Sequence, residues 1–183
     1  FFARAAERRG WEMQAQAPLG ERIWIAVTAA LQHDAHGVAQ HLILVVEDIG
    51  PRKQLEERLR LTARVFDSAS EGIYITDPDG TILDVNPAVT RLTGYGREEL
   101  IGRNPRIFRS GHQGAGFYAR MRDTLQREDH WHGEMWNQRK DGRMYAQEIR
   151  ISGVRNERGQ LNHYVALISD VTERKQHQDV IEH

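Results

Sequence analysis

Polar and apolar residues alternate along Arg143–Val154, where Tyr145, Gln147, Ile149 and Ile151 share one parity and Ala146, Glu148, Arg150 and Ser152 the other. A period of two predicts a strand, with the first set facing a core. Trp131–Arg139 and Leu161–Ser169 read as its neighbours, joined through turns at Asp141-Gly142 and Asn156-Glu157-Arg158-Gly159. Such short joins make the three strands antiparallel. Tyr164–Ile168 is apolar at both parities, which predicts a strand covered on both sides. A helix over Arg52–Phe66 or a second subunit would supply the outer cover, since an uncovered patch of this kind stands unfavourably in water.

Upstream, Gly72–Thr76 and Thr81–Val85 are β-branched runs separated by Asp77-Pro78-Asp79-Gly80. Pro78 presets its φ and Gly80 accepts a left-handed conformation, so the segment predicts a hairpin. Short helices are expected over Ala88–Thr93 and Arg97–Ile101, stopped by Gly94 and Gly102. A longer helix is expected over Gly116–Gln126, where Phe117, Met121 and Leu125 recur every four residues.

The chain also repeats itself. FFARAAERRGW at Phe1–Trp11 returns as FYARMRDTLQREDHW at Phe117–Trp131, and Gly37, His41, Asp48, Arg52, Lys53 and Gln54 answer Gly159, His163, Asp170, Arg174, Lys175 and Gln176 at one fixed offset. A constant register implies two copies of one domain. The first copy has no counterpart to Glu71–Gly116, which predicts one complete and one partial domain within 183 residues.

Composition narrows the functional classes. An apolar fraction of 39% and a charged fraction of 28% are ordinary for a chain with a buried core. The net charge of -1 offers no broad attraction to nucleic acid or to an anionic membrane. No stretch approaches the roughly 20 apolar residues that span a bilayer. Phe1–Gly20 carries charges and has no continuous apolar centre, so cytoplasmic residence is expected. The chain has no cysteine, which excludes disulfides, thiolate metal sites and cysteinyl photochemistry. His130 and His132 alternate on one strand and His112 precedes the long helix, but two histidines do not close a zinc site, so no metal is expected. Phosphate loops, HExxH and nucleophile elbows are missing, so the chain reads as a regulatory domain rather than an enzyme.

Taken in order, GIYITDPDGTILDVNPAVTRLTGYGREELIGRNP, NQRKDGRMYAQEI and HYVALISDVTERK resemble a PAS domain with its C-terminal PAC motif. The resemblance implies an α+β fold: a five-stranded antiparallel sheet with short helices on one face around a cavity, plus amphipathic linker helices. It divides the chain into the PAC half of a preceding PAS domain (1–50), a linker helix (51–66), a complete PAS domain (67–172) and the start of an output helix (173–183). In this fold the last strand pairs with the first, whose counterpart is absent from the first copy. An open edge there leaves three outcomes: a fragment of a longer protein, another chain on the edge, or a loose segment.

The residues expected to line the cavity are Trp131, Met135, Asn137, Tyr145, Gln147, Ile149, Ile151, Tyr164 and Ile168. Gln147 and Asn137 place amides in an apolar interior, and a buried amide without a partner costs about 1–3 kcal/mol. They bond each other or water, or they face a polar ring system; the related LOV group uses amides at similar strand positions to hold flavin. Pro105 stands where that group has its reactive cysteine and Ile168 where it has a glutamine. The cofactor is left open: FAD of the redox-sensing kind, with Trp131, Met135 and Asn137 near it, is one reading, and haem has no motif to support it. A ligand-free dimerisation adaptor is the other.

Asp170-Val171-Thr172-Glu173 predicts a helix start in which Asp170 accepts from free N–H groups and Glu173 reaches back as in a capping box. The resemblance makes Asp170, Thr172 and Glu173 the junction that couples the sheet to an output helix. QHQDVIEH resembles the connector before a diguanylate cyclase domain of the GGDEF type, so cyclic di-GMP synthesis is the expected output, although a histidine kinase also follows such helices. Glu99 and Lys140 resemble a structural surface salt bridge of PAS domains. Leu55, Leu59, Thr62 and Phe66, spaced four, three and four, form a narrow seam that predicts a homodimer contact or a linker lying on its own sheet.

Overall fold

The computed structural model describes residues 8–18 and 20–181. It divides into two units, Phe1–Ala63 and Arg64–His183. In the first, β1 (Arg8–Gln16), β2 (Arg22–His33) and β3 (Ala39–Asp48) form an antiparallel sheet in the order β1-β2-β3. The turn before β3 is tied by the Asp34 carboxylate, which accepts the N–H of His36 at 2.8 Å and of Val38 at 3.0 Å. α1 (Gly50–Ser68) follows directly. The beginning of the first copy, through Glu7, lies outside the described residues, as do Glu182 and His183 at the other end.

The second unit holds β4 (Gly72–Thr76), β5 (Ile82–Val85), α2 (Pro87–Thr93), α3 (Arg97–Leu100), a 3-10 turn at Pro105–Phe108, α4 (Ala115–Glu128), β6 (His130–Gln138), β7 (Met144–Arg155), β8 (Leu161–Asp170) and α5 (Thr172–Ile181). Its sheet runs β5-β4-β8-β7-β6, with every pair antiparallel. Tyr74, Ile82, Val89, Leu100, Phe108, Ile149, Ala166 and Ile168 form the core between the sheet and the short helices. The fold class is α+β, as expected.

Local chemistry explains these elements. The hairpin turn closes through Gly80 at φ 88, and the Asp77 carboxylate accepts the Thr81 N–H at 2.7 Å. α2 starts under the Asn86 side chain and stops at Gly94, whose φ of 78 favours a residue without Cβ. Asn86 is fully buried and ties three elements together. Its Oδ1 accepts the Ile73 N–H at 2.8 Å, and its Nδ2 donates to the carbonyls of Phe66 at 3.1 Å and Glu71 at 3.0 Å.

Two expectations need amendment. Parity alone leaves Ala146 on the outer face, yet it is fully buried. The start of α5 covers it: the Val171 N–H donates to the Ala146 carbonyl at 2.9 Å and the Ala146 N–H to Thr172 Oγ1 at 3.0 Å. On β8, Ala166 and Ile168 are sealed, whereas Val165 and Leu167 on the other parity are only half-buried.

Candidate ligand cavity and signalling junction

Between the sheet and α4 lies a cavity of about 220 Å³. Its floor is Met135 and Asn137 from β6, Gln147, Ile149 and Ile151 from β7, and Tyr164 and Ala166 from β8. Tyr74 and Thr76 close one side, and Phe108, Tyr118, Met121 and Leu125 form the roof. The rest of its lining is Pro78, Gly80 and Pro105 with the polar and charged Asp79, Asn104, Arg106, Arg109, Arg122 and Gln126. The volume is just under the roughly 300 Å³ at which small-molecule sites usually begin, so the enclosed part suits one ring system.

The polar groups inside are few and fixed. Asn137 is 3% exposed and Gln147 1% exposed. Gln147 Oε1 accepts the Tyr145 hydroxyl at 2.9 Å, whereas its NH2 has no acceptor among the described residues. Burial pushes the Tyr145 hydroxyl up to about 12, opposed in part by the neighbouring Asn137 amide, so Tyr145 stays a neutral donor. Across the cavity the Tyr118 hydroxyl is buried with no hydrogen-bond partner among the described residues. The Arg109 guanidinium stacks 3.6 Å over the Tyr118 ring, and burial lowers its pKa below the ordinary arginine value.

Of the nine residues expected on the lining, Met135, Asn137, Gln147, Ile149, Ile151 and Tyr164 are on it, and Trp131, Tyr145 and Ile168 are not. Trp131 packs edge-on against Phe117 at 5.7 Å and lies across Gly133, which has no side chain to stop it. Tyr145 stands behind Gln147, to whose Oε1 its hydroxyl donates. Ile168 fills the space beside Gly72 so closely that a Cβ there would sit 2.5 Å from its Cγ1. The arginines of the lining and Tyr118 were not among the expected residues. The apolar stripe of α4 points to Phe117, Met121 and Leu125 but gives no sign that Tyr118 also turns inward.

At the end of β8, Asp170 Oδ1 accepts the N–H and the hydroxyl of Thr172, while Oδ2 lies 2.5 Å from Arg139 Nη2. The expected reach of Glu173 back over the helix start does not form. Among the described residues its carboxylate makes no hydrogen bond, and the Val171 N–H just ahead of the helix already donates to the Ala146 carbonyl. Arg139 also donates to the Leu92 carbonyl, and its guanidinium lies 4.6 Å from the Tyr145 ring centroid. A continuous chain of contacts therefore runs from Gln147 through Tyr145 and Arg139 to Asp170 and Thr172 at the start of α5.

Lys140 Nζ lies 2.7 and 2.9 Å from the two carboxylate oxygens of Glu99, holding that carboxyl below its usual range, with the Gly96 N–H adding to the effect. On α1, Leu55 and Leu59 are exposed and Phe66 is half-buried. His130 and His132 bond the Glu128 carbonyl and the Glu148 carboxylate, each at 2.8 Å. Among the described residues no group of three His, Cys, Asp or Glu side chains is placed to hold a metal, and no helix is long and apolar enough to cross a membrane.

Residues 70–173 match the family model for the PAS domain. This chain belongs to the PAS domain family. PAS domains are regulatory sensor modules, and relatives of this one occur in signalling proteins. It is 38% identical over 108 residues to a nitrogen fixation regulatory protein of Klebsiella oxytoca, covering 59% of this chain and 22% of that protein. A blue-light-activated histidine kinase of Brucella ovis is 32% identical over 95 residues, covering 52% of this chain and 19% of the kinase. The chain thus spans about a fifth of the length of these relatives. Among solved structures, a PAS domain from Colwellia psychrerythraea superposes with a TM-score of 0.59 at 24% identity, over 63% of this chain and 98% of that one. An RNA-binding light-oxygen-voltage receptor gives a TM-score of 0.63 at 16% identity, over 96% of this chain and 81% of the receptor. Both structures share the fold.

Proposed function

We propose that the PAS domain of this chain is a sensory module that holds a flat, polar-edged ligand of the flavin type and relays its state through α5 to an output domain. The observation that carries this reading is the Tyr118 hydroxyl, buried on the cavity wall with no hydrogen-bond partner among the described residues, in a lining that also holds the Asn137 and Gln147 amides. Left unpaired, a buried group of this kind costs about 1–3 kcal/mol, which a ligand acceptor would recover. Asn137 and Gln147 would hold the polar edge of the ring, Met135, Ile149 and Ile151 its face, and Arg106 and Arg109 an anionic tail such as that of FAD. A flavin supplies a ring whose charge and protonation change on reduction. Since the chain has no cysteine, light or redox state is sensed without a thiol adduct.

When the ring edge changes from acceptor to donor, Gln147 must reorient, and Tyr145, bonded to its Oε1, must follow. Tyr145 carries the Arg139 guanidinium, so the change reaches Asp170 and the first residue of α5. Leu55, Leu59 and Phe66 on α1 support a homodimer, and no helix among the described residues is long and apolar enough to cross a membrane. The tail resemblance supports a diguanylate cyclase as output. The histidine kinases among the relatives support the alternative, and assaying the full-length protein for GTP cyclisation and for autophosphorylation separates them.

The absorbance spectrum of the purified chain tests the ligand. Flavin bands, with release of the flavin on denaturation, are expected, and Gln147→Leu is expected to lower its affinity about tenfold. A colourless protein that releases no small molecule overturns the ligand reading in favour of a dimerisation adaptor with an empty core. The relay is tested by Arg139→Ala in the full-length protein: ligand content is retained while output no longer follows ligand state. Unchanged regulation sinks it.

A further inference from the structure

The two sheets are built on one repeated backbone. β1, β2 and β3 equal β6, β7 and β8 in length and in the spacing between strands. Their registers correspond: Arg8↔Ala30 answers His130↔Ser152, and Ile25↔Asp48 answers Gln147↔Asp170. Even the irregularity between Gln32 and His33 returns between Val154 and Arg155. At the junction the Ile49 N–H donates to the Trp24 carbonyl at 2.9 Å, as the Val171 N–H does to Ala146 at 2.9 Å. Glu12 binds Arg52 and Lys53 at 2.6 and 2.7 Å, as Glu134 binds Arg174 and Lys175 at 2.5 and 2.7 Å.

The edges differ. β8 lies between β7 and β4, whereas β3 has β2 on one side and no strand on the other among the described residues. Leu44 and Val46 are 55% and 59% exposed, while Ala166 and Ile168 at the equivalent places are 2% and 0% exposed. Leu42–Val46 is an unbroken apolar run with neither charge nor proline to deter pairing. An edge of this kind is a template for another strand.

We propose that the free edge of β3, with the apolar face of β1–β3, is the docking surface for a hairpin-led segment patterned like Glu71–Gly116, carried N-terminal to β1 in the full-length protein, which completes a second PAS sheet. The repeat chooses this occupant. In the second unit the elements that close the sheet precede β6, so their counterpart precedes β1. A second copy of β3 paired edge to edge would satisfy the backbone but leave Leu44 and Val46 in water. Shape and chemistry are also specified. Ala15, Ile23 and Ile25 stand where the other sheet has Asn137, Tyr145 and Gln147, so the segment meets an apolar sheet face that offers no amide at these places. The inference is independent of the ligand reading above.

Hydrogen exchange on the full-length protein and on the chain Phe1–His183, side by side, tests it. The amides of Leu42–Val46 are expected to exchange about 100-fold more slowly in the full-length protein, where both sides of β3 are paired. Equally fast exchange in both overturns the proposal. So does protection in Phe1–His183 that grows with protein concentration, which identifies pairing between copies. Val46→Lys in the full-length protein is expected to abolish the β3 protection while exchange in β6–β8 stays unchanged. Retained protection overturns the proposal, because Val46 would then face solvent.

Discussion

Val46 and Ile168 occupy the same place, on the same row of side chains, in two copies of one three-stranded sheet. One stands in solvent and the other is completely sealed. Strand lengths, register, bulge and junction are the same in both copies, so they do not require a closed core. They follow from the turns and the backbone ladder, including the Asp34 and Asn156 carbonyl and carboxylate oxygens that accept the N–H groups two and four residues on. Closure is a separate event that depends on what packs against the inner row. The chemistry of the interior is separable again: three polar side chains in one copy are replaced by three aliphatic ones in the other, with no change of register.

The largest test of this contrast is a matched pair of truncations. Ile168→Ala is expected to destabilise the second unit by about 2–5 kcal/mol, the usual loss for a buried isoleucine. Val46→Ala in the chain Phe1–His183 should stay within about 0.5 kcal/mol. Urea unfolding reads both, and equal effects would break the comparison. A sharper pair uses glycines. Gly72→Ala puts a methyl 2.5 Å from Ile168 Cγ1, an overpacking expected to cost about 1–3 kcal/mol. Gly10→Ala meets nothing nearer than 3.6 Å and should be neutral or slightly stabilising, because alanine narrows the unfolded ensemble. Thermal unfolding followed for each unit tells whether the order holds.

The smallest effect is one the two copies should share. Glu12 is held below the usual 4.5 by Lys53 and then Arg52, and Glu134 by Lys175, with Arg174 adding. A carboxyl whose folded pKa is depressed contributes stability that is present above the unfolded value and lost as pH falls through the folded one. The first turns of α1 and α5 should therefore loosen together below about pH 4.5 and stay indifferent between pH 6 and 8. The change should be slight for such exposed pairs. Amide exchange of Lys53 and Lys175 measures it, and loosening near neutrality would contradict the account.

Much of the second unit is legible in the chain. Alternation along β7, the Asp77–Gly80 turn and the stop at Gly94 depend on neighbours in sequence, and those elements lie within a residue or two of where the pattern places them. Parity tells which face a side chain takes but not how deep it goes. Trp131, Tyr145 and Ile168 share the inner face with Gln147, yet they sit behind or beside the cavity because of Phe117, Gln147 and Gly72. Ala146 breaks parity because the chain returns over it at Val171. Arg139 carries no local sign of its role, since its partner Asp170 is 31 residues away. Pro105–Phe108 forms a 3-10 turn where hydrophobic periodicity has too few residues to register.

Asn86 gives the PAS domain a second handle. Its Nδ2 grips the carbonyl of Phe66 at 3.1 Å, near the end of α1, while its Oδ1 accepts from β4 and from the first turn of α2. Twisting α1 away would strand one of those donors in the dark of the protein. The incoming helix and the β4 side of the pocket are thus energetically linked, and such linkage is reciprocal. Affinity for any occupant of the pocket would then depend on how α1 is held upstream, so a domain excised at Gly72 would weigh that occupant on a different scale.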